Sequence, residues 1–399
     1  MPDLSRFAEN YAYHYTADHF GPLPPEILGG TKTAPILAET GAFLQPNGDI
    51  RFRLYYPGVS EVRLEIGRSP RPAELRLERT ADGFFEGVYP FPDDPSYRGR
   101  REMDIFADGI RVLDPRIPTI PGDRMKNCID IPDPDWDDYL LKDVPHGTVS
   151  YELYRSEVYG ETRRCMVYTP AEYRARPEKH YGVIYLHHGG YGNEAQWFFA
   201  GKAALILDNL FAEGRAEPFL VVANNNSPRF TADPTQRTEE YRRGMEDFCQ
   251  CLLRDCIPFI EREYRVVPDK WHRCTAGLSY GCMVTSYTGF GHPEVFGNLG
   301  LISGGLRCKD FAPALADNHH IDWLCGGSAR VAEEYRLIYR SHGTVEYHDS
   351  GDHVEDEAFL RENGILDLPN LVREWFPGGL HQWDTFGKGL AGLACHLFR

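Results

Sequence analysis

No apolar run in this chain approaches the ~18 residues that a membrane-spanning helix needs. The amino terminus, Met1-Pro2-Asp3-Leu4-Ser5-Arg6, has no basic segment followed by an apolar one, so a secretory leader is not expected. Basic charge is scarce: 43 Lys and Arg stand against 59 Asp and Glu, a formal net charge of −16. Nucleic acid and anionic membrane surfaces both need a basic face, so neither is an expected partner. The ten cysteines contain no Cys-x-x-Cys pair, which excludes a zinc ribbon or a thioredoxin-type site. Their tightest group, Cys249, Cys251 and Cys256, falls inside a helical pattern. They read as core thiols in a reducing compartment, and the chain as cytoplasmic. No internal repeat is visible.

What is there divides into two textures. Residues 1–40 read as an irregular arm punctuated by Gly21-Pro22-Leu23-Pro24-Pro25. From 41 to 118 short period-2 runs follow one another, among them Asp49–Tyr56, Glu61–Ile66, Glu74–Arg79 and Gly83–Tyr89. That spacing predicts an immunoglobulin-like antiparallel β-sandwich. Residues 119–148 are rich in Pro and Asp and read as a linker. Over 149–399 buried apolar strands alternate with helical patterns, which predicts an α/β domain: a mainly parallel sheet with helices on both faces. Its strands are expected at 148–154, 163–168, 181–186, 219–223, 273–278, 299–303, 344–348 and 371–375. Helices are expected over 202–213, 238–264 (kinked near Pro258) and 331–340, and at the carboxyl terminus.

The chemistry centres on Gly277-Leu278-Ser279-Tyr280-Gly281, at the end of the strand over 273–278. A serine there stands on a sharp strand-to-helix turn at the carboxyl edge of the sheet, where sites of such folds form. Serine needs an adjacent base, and the base an orienting acid. Chain order Ser–acid–His restricts the base to histidines after Ser279. His381 is preferred, in the glycine-rich loop Pro377-Gly378-Gly379-Leu380-His381 after the last strand; His353 competes. The acid belongs in the loop after the strand at 344–348, where Asp352 is preferred and Asp356 is the alternative. Oxyanion donors are expected at the backbone N–H of Tyr280 and of Gly190, in the Gly-rich turn Leu186-His187-His188-Gly189-Gly190-Tyr191-Gly192. That turn lacks the Lys-Ser/Thr of a phosphate loop. His187-His188 has no accompanying ligand set, so no metal and no cofactor are expected.

With these motifs placed, the chain resembles the esterase D-like group of α/β-hydrolases. More narrowly it resembles carbohydrate esterase family 1 feruloyl esterases that carry an amino-terminal carbohydrate-binding-like sandwich. The resemblance covers about residues 40–399. It rests on Asp143-Val144-Pro145-His146-Gly147, Val167–Tyr173, Leu186–Trp197, Ile206-Leu207-Asp208-Asn209-Leu210, Gly277–Gly281 and Pro377–Trp383. It implies ester hydrolysis through an acyl-enzyme, with Ser279 as nucleophile and His381 as base, and with Tyr191, Trp197 and Trp383 on the substrate. It also implies small-molecule or oligosaccharide ester substrates, feruloylated or acetylated, or siderophore esters as in a cousin branch. The sequence departs from the relatives at Gln382 and in the spacing after Gly351. A homo-oligomer is compatible with it, and a non-catalytic carbohydrate-binding protein is the reading from another class.

Overall fold

The computed structural model describes residues 40–399 except 68–71, 121–124, 229–232, 234, 236, 307–318 and 347–349; the side chains of 237, 238, 319 and 350–352 are likewise not described. The arm read over 1–40 thus lies outside the described residues, Thr40 apart. Two compact units divide the chain. One runs up to Leu141 and takes in Gln382–Asp384; the other comprises Lys142–His381 and Thr385–Arg399.

The first unit is all β: β1 (Gly41–Leu44), β2 (Ile50–Leu54), β3 (Val62–Ile66), β4 (Ala73–Arg79), β5 (Phe85–Tyr89), β6 (Gly99–Ala107), β7 (Ile110–Val112), β8 (Thr119–Ile120) and β9 (Lys126–Ile131). They form one antiparallel sheet in the order β1-β2-β5-β4-β3-β6-β9-β8, with β7 on β6. β4 belongs to both halves, pairing with β3 through Ala73–Leu77 and with β5 through Glu78 and Arg79. Period-2 alternation sends Ile50, Phe52 and Leu54 of β2 and Val62, Leu64 and Ile66 of β3 into one core with Phe85, Ile105 and Ile129. Two halves closed on one core make the expected sandwich, but its boundary moves. β8 and β9 lie inside the stretch expected to be a linker, and the unit ends at Leu141. β9 looks like linker because of its polar residues, which are buried and partnered. Asn127 donates to the carbonyls of Asp114 and Ile117, and Asp130 accepts from Arg100.

The second unit is built on eight strands: β10 (Thr148–Ser156), β11 (Glu161–Thr169), β12 (Val183–His187), β13 (Leu220–Asn224), β14 (Arg273–Leu278), β15 (Asn298–Ile302), β16 (Leu337–Gly343) and β17 (Leu371–Phe376). The order is β10-β11-β13-β12-β14-β15-β16-β17. β10 and β11 are antiparallel, and from β13 to β17 every pairing is parallel. The helices used below are α1 (Ala203–Ala212), α2 (Arg237–Cys251), α3 (Ile257–Glu263), α4 (Tyr280–Gly291), α5 (Ser328–Glu334), α6 (Ser350–Glu362) and α7 (Trp383–His396). The kink expected near Pro258 is a π turn over Leu252–Cys256, between α2 and α3. Proline has no N–H for the carbonyl four residues back and clashes with it, so the wider turn falls immediately before it.

Several motifs shared with the resembled family turn out to be architecture. Asp208 of α1 is buried and accepts from Gly147 N–H (2.8 Å), Tyr168 Oη (2.7 Å) and His146 Nδ1 (3.0 Å). A side chain at Gly147 would run into the Tyr168 ring and the Thr169 carbonyl.

One strand is displaced from its expected place, with consequences for the site. The strand expected at 344–348 is β16, over Leu337–Gly343, and the helix expected at 331–340 ends at Glu334 as α5. β16 is buried along its whole length yet contains Arg340, Ser341 and His342. Polar residues in a buried strand hide its apolar signature, and here α6 partners the charged one. Arg340 donates to Asp356 and lies 3.5 Å from Glu357.

Candidate active site

Ser279 sits between β14 and α4 with φ +52° and ψ −121°, a conformation that costs a non-glycine residue energy and persists only where its surroundings impose it. Here they do. Ser279 N–H donates to the Ile302 carbonyl (3.1 Å). A Cβ at Gly281 would stand 2.6 Å from the carbonyl oxygens of His187 and His188, and one at Gly277 would strike the Gly281 backbone. The elbow therefore admits only glycine on either side of the serine. Tyr280 opens α4, so its N–H belongs to the first turn, whose donors point out of the helix end.

The glycine-rich turn after β12 lies beside this elbow. A Cβ on Gly189 would come 2.6 Å from Leu278 Cδ1 and 3.5 Å from Ser279 Cβ, whereas one on Gly190 would meet nothing within 4 Å. His188 fixes the turn. Its Nδ1–H donates to the Gly189 carbonyl (2.7 Å) and its Nε2 accepts from Asn226 N–H (3.0 Å), which requires the neutral ring. Asn226 closes the pair, accepting from His188 N–H and donating to the His188 carbonyl. Burial pushes the His188 pKa down to about 4 and that of His187 to about 3. His187 Nε2 lies 2.8 Å from Thr275 Oγ1. Both histidines are thus scaffold. Among the described residues, no group of three or more His, Cys, Asp or Glu side chains is placed to hold a metal ion.

His381, in the loop between β17 and α7, comes within 3.0 Å of Ser279 Oγ through Nε2. Its Nδ1 lies 2.7 Å from Glu346 Oε2. A carboxylate accepts, so Nδ1 carries the proton and Nε2 is left to accept from the serine hydroxyl. Glu346 is fully enclosed, and its other oxygen accepts from Ser303 Oγ (2.7 Å) and Gly343 N–H (2.6 Å). Three charge-assisted bonds hold the buried carboxylate in one orientation. The two loops are also tied by backbone: Thr344 N–H to the Phe376 carbonyl, Val345 N–H to the Gly379 carbonyl, and Gly378 N–H to Thr344 Oγ1. The His381 ring packs edge-on against Phe386 (centroids 4.9 Å apart).

The family model described as "Putative esterase" matches residues 156–362, more than half of the chain. The chain belongs to this esterase family. The chain is 33% identical over 270 residues to the endo-1,4-beta-xylanase/feruloyl esterase of Xylanibacter ruminicola, an alignment covering 65% of this chain and 35% of that protein. It is 29% identical over 162 residues to endo-1,4-beta-xylanase Y of Acetivibrio thermocellus, covering 38% and 14%. It thus spans about a third or less of the length of these curated relatives. Among solved structures it resembles a CE1 ferulic acid esterase of Anaeromyces mucronatus, with TM-score 0.53, 19% identity and coverage of 65% of this chain and 93% of that one. It also resembles the enterobactin esterase of Shigella flexneri, with TM-score 0.61, 15% identity and coverage of 91% and 98%. These likenesses establish the α/β-hydrolase fold.

Ser279 and His381 come together and Gly189 lies beside them, but the acid is not where it was expected. The carboxylate on His381 belongs to Glu346, and Asp356 does not take that place. Asp356 is buried and turned elsewhere, accepting from Leu306 N–H (2.6 Å) and Arg340 Nη2 (3.2 Å). Asp352 lies in the first turn of α6, and its side chain is outside the described residues. The error follows from the displaced strand. With β16 ending at Gly343, the loop that carries the acid begins at Thr344, and Glu346 is its third residue. The competitor His353 is enclosed, its ring 4.7 Å from that of His342 and 4.2 Å from that of Trp375.

Of the three side chains expected on the substrate, Tyr191 is exposed, with φ +61°. Trp197 is fully buried, and its Nε1–H donates to the His187 carbonyl (2.9 Å). It pins the end of β12 and offers no surface to a ligand. Trp383 opens α7, is likewise buried, and is grouped with the first unit. The residues that sequence reasoning missed are Glu346, Ser303 and Asn226. Order in the chain, Ser–Glu–His, was the available signal for the first.

Proposed function

We propose that the esterase cleaves hydroxycinnamoyl esters of plant-cell-wall carbohydrate through a covalent acyl-enzyme. One observation carries the mechanism: His381 bridges Ser279 Oγ and the buried Glu346, all within hydrogen-bond distance. Ser279 Oγ attacks the ester carbonyl as His381 Nε2 takes its proton, and Glu346 stabilises the imidazolium that forms. The oxyanion is received by the N–H groups of Tyr280 and Gly190. His381 then returns the proton to the departing sugar oxygen, and water, activated by the same ring, releases the acid and restores Ser279. The substrate class is supported by the 33% identity to a protein named a xylanase/feruloyl esterase. We also propose a reducing, cytoplasmic setting, which the burial of seven of the nine described cysteines as free thiols supports.

The test is turnover of p-nitrophenyl acetate, methyl ferulate and a catechoyl-serine ester by wild type, Ser279→Ala and His381→Ala. Each substitution is expected to lower kcat by about 10⁴-fold or more. Activity surviving Ser279→Ala would sink the mechanism. Preference for the acetyl or the catechoyl ester over the ferulate would overturn the substrate assignment alone.

A further inference from the structure

Four residues after β15, Ser303-Gly304-Gly305-Leu306, run between the nucleophile and the acid and touch both. At the start, Ser303 N–H donates to the Ser341 carbonyl of β16 (2.8 Å), and Ser303 Oγ donates to Glu346 (2.7 Å). Ser303 holds φ +48°, so its hydroxyl is aimed at Glu346 by a backbone that must be kept in place from outside. In the middle, a Cβ on Gly304 would stand 2.8 Å from the Ser279 carbonyl and 2.6 Å from Cys282 Cβ. At the far end, the Leu306 carbonyl accepts from Ser286 Oγ of α4 (2.9 Å), and Leu306 N–H donates to Asp356 (2.6 Å). The same Asp356 oxygen accepts from Arg340 (3.2 Å), a residue of β16 whose other guanidinium nitrogen lies 3.5 Å from Glu357.

We infer that Asp356 is a positioning residue for catalysis, acting through the 303–306 strap on Glu346; the inference rests on the Ser279–His381–Glu346 reading above. One carboxylate oxygen ties the strap's end to β16, the strand from which Glu346 emerges. The distance from the Ser303 hydroxyl to the acid is thereby fixed at both ends. The bonds described for Asp356 run to Leu306 and Arg340, not to His381 or Ser279. Its effect on turnover passes through Ser303, and that dependence sets it apart from a residue that merely stabilises the fold.

A double-mutant cycle on methyl ferulate tests this, with every variant's active sites counted by its acyl-enzyme burst. Ser303→Ala, which removes one hydroxyl, is expected to lower kcat about tenfold or more, and Asp356→Ala by about the same factor. KM should stay within about twofold in each. Ser303→Ala/Asp356→Ala should be no slower than the slower single variant, because both break one path. Asp356→Asn keeps an oxygen for Leu306 N–H and should recover most of the loss; should Asp356→Ala not accumulate folded, Asp356→Leu, which fills the same volume without an acceptor, takes its place in the cycle. Losses that multiply in the double variant, or that appear in KM with kcat unchanged, would overturn the strap while leaving the Ser–His–Glu reading intact. A collapse in Asp356→Asn as deep as in Glu346→Gln would overturn it too, by making Asp356 an acid in its own right. Full activity in Ser279→Ala would remove the reading and the strap together.

Discussion

β14 and β16 deliver Ser279 and Glu346 to the same edge of one parallel sheet, with only β15 between them, and they do so by opposite means. From Cys274 onward β14 is small, buried and without charge, and the turn that follows is dictated by volume. Two glycines stand where any Cβ would strike backbone, and a serine is forced to positive φ between them. β16 is equally buried but carries Arg340 and His342 into the interior. Its exit is dictated by pairing: Asp356 and Glu357 on Arg340, Ser303 and Gly343 N–H on Glu346. The lesson is that the place of Ser279 is set by what cannot be added, and that of Glu346 by what cannot be removed.

The comparison breaks first at the acid. Glu346→Gln keeps the shape but removes the charge facing His381 Nδ1 and admits the wrong tautomer. The expected fall in kcat is about 10³–10⁴-fold with little change in KM. Asp352→Asn is expected to stay within about threefold of wild type, because Glu346 already occupies His381. Steady-state kinetics on methyl ferulate decides between them, and a collapse in Asp352→Asn would return the acid to α6.

That contrast also governs how much of the molecule could be read from its sequence. β14 was legible to the residue, because an apolar run ending in Gly-x-Ser-x-Gly has one physical interpretation. β2, β3 and β4 were legible to within two residues, because Arg and Glu there alternate with buried Ile, Val and Leu. β6 and β9 were missed and β16 misplaced for one reason: each buries charged or amide side chains whose partners are distant in the chain. Arg100 reaches Asp130 and Cys128, and Arg340 reaches Asp356. Propensity and periodicity price such residues as exposed, since burial of a charge is affordable only once its partner is known. Trp197 fails in the opposite sense. An aromatic in a site motif looks like a platform, and only its bond to the His187 carbonyl marks it as a strut.

On the steric side, a methyl group is the probe. Gly281→Ala places a Cβ 2.6 Å from two carbonyl oxygens, whereas Gly190→Ala places one in open space. Overpacking of this kind costs about 2–3 kcal/mol. In a unit of this size the melting temperature should fall by about 5–10 °C for Gly281→Ala and hardly at all for Gly190→Ala. Thermal unfolding followed by circular dichroism measures both. Equal stability of the two variants would mean that volume does not set the elbow.

The two regions share one feature, a histidine that burial holds neutral, and it gives the smallest expected effect. Under β16 burial pushes His353 down, and Arg340, His342 and Arg373 push it further. Beside the elbow burial takes His188 down to about 4 against an ordinary 6.5, although its bonds to the Gly189 carbonyl and Asn225 pull the other way. The sign follows from proton uptake. Between about pH 6.5 and 4 the unfolded chain protonates this ring and the folded one does not, so protons favour unfolding. The stability associated with His188 is present above 6.5 and is lost as pH falls through that window, at up to about 1.4 kcal/mol per pH unit. Carboxylates titrate over the same range, so the slope of the wild type alone is ambiguous and the difference from a variant is the measurement. Urea unfolding of His188→Gln at several pH values should give a lower stability at pH 7, because one carboxamide cannot make both the bond to the Gly189 carbonyl and that from Asn226 N–H. Its fall toward pH 4.5 should be shallower than wild type by about one proton. A slope unchanged by the substitution would mean that His188 is already charged in the folded protein. In that state Nε2 would carry a proton and could not accept from Asn226, and the turn bearing Gly190 would need another anchor.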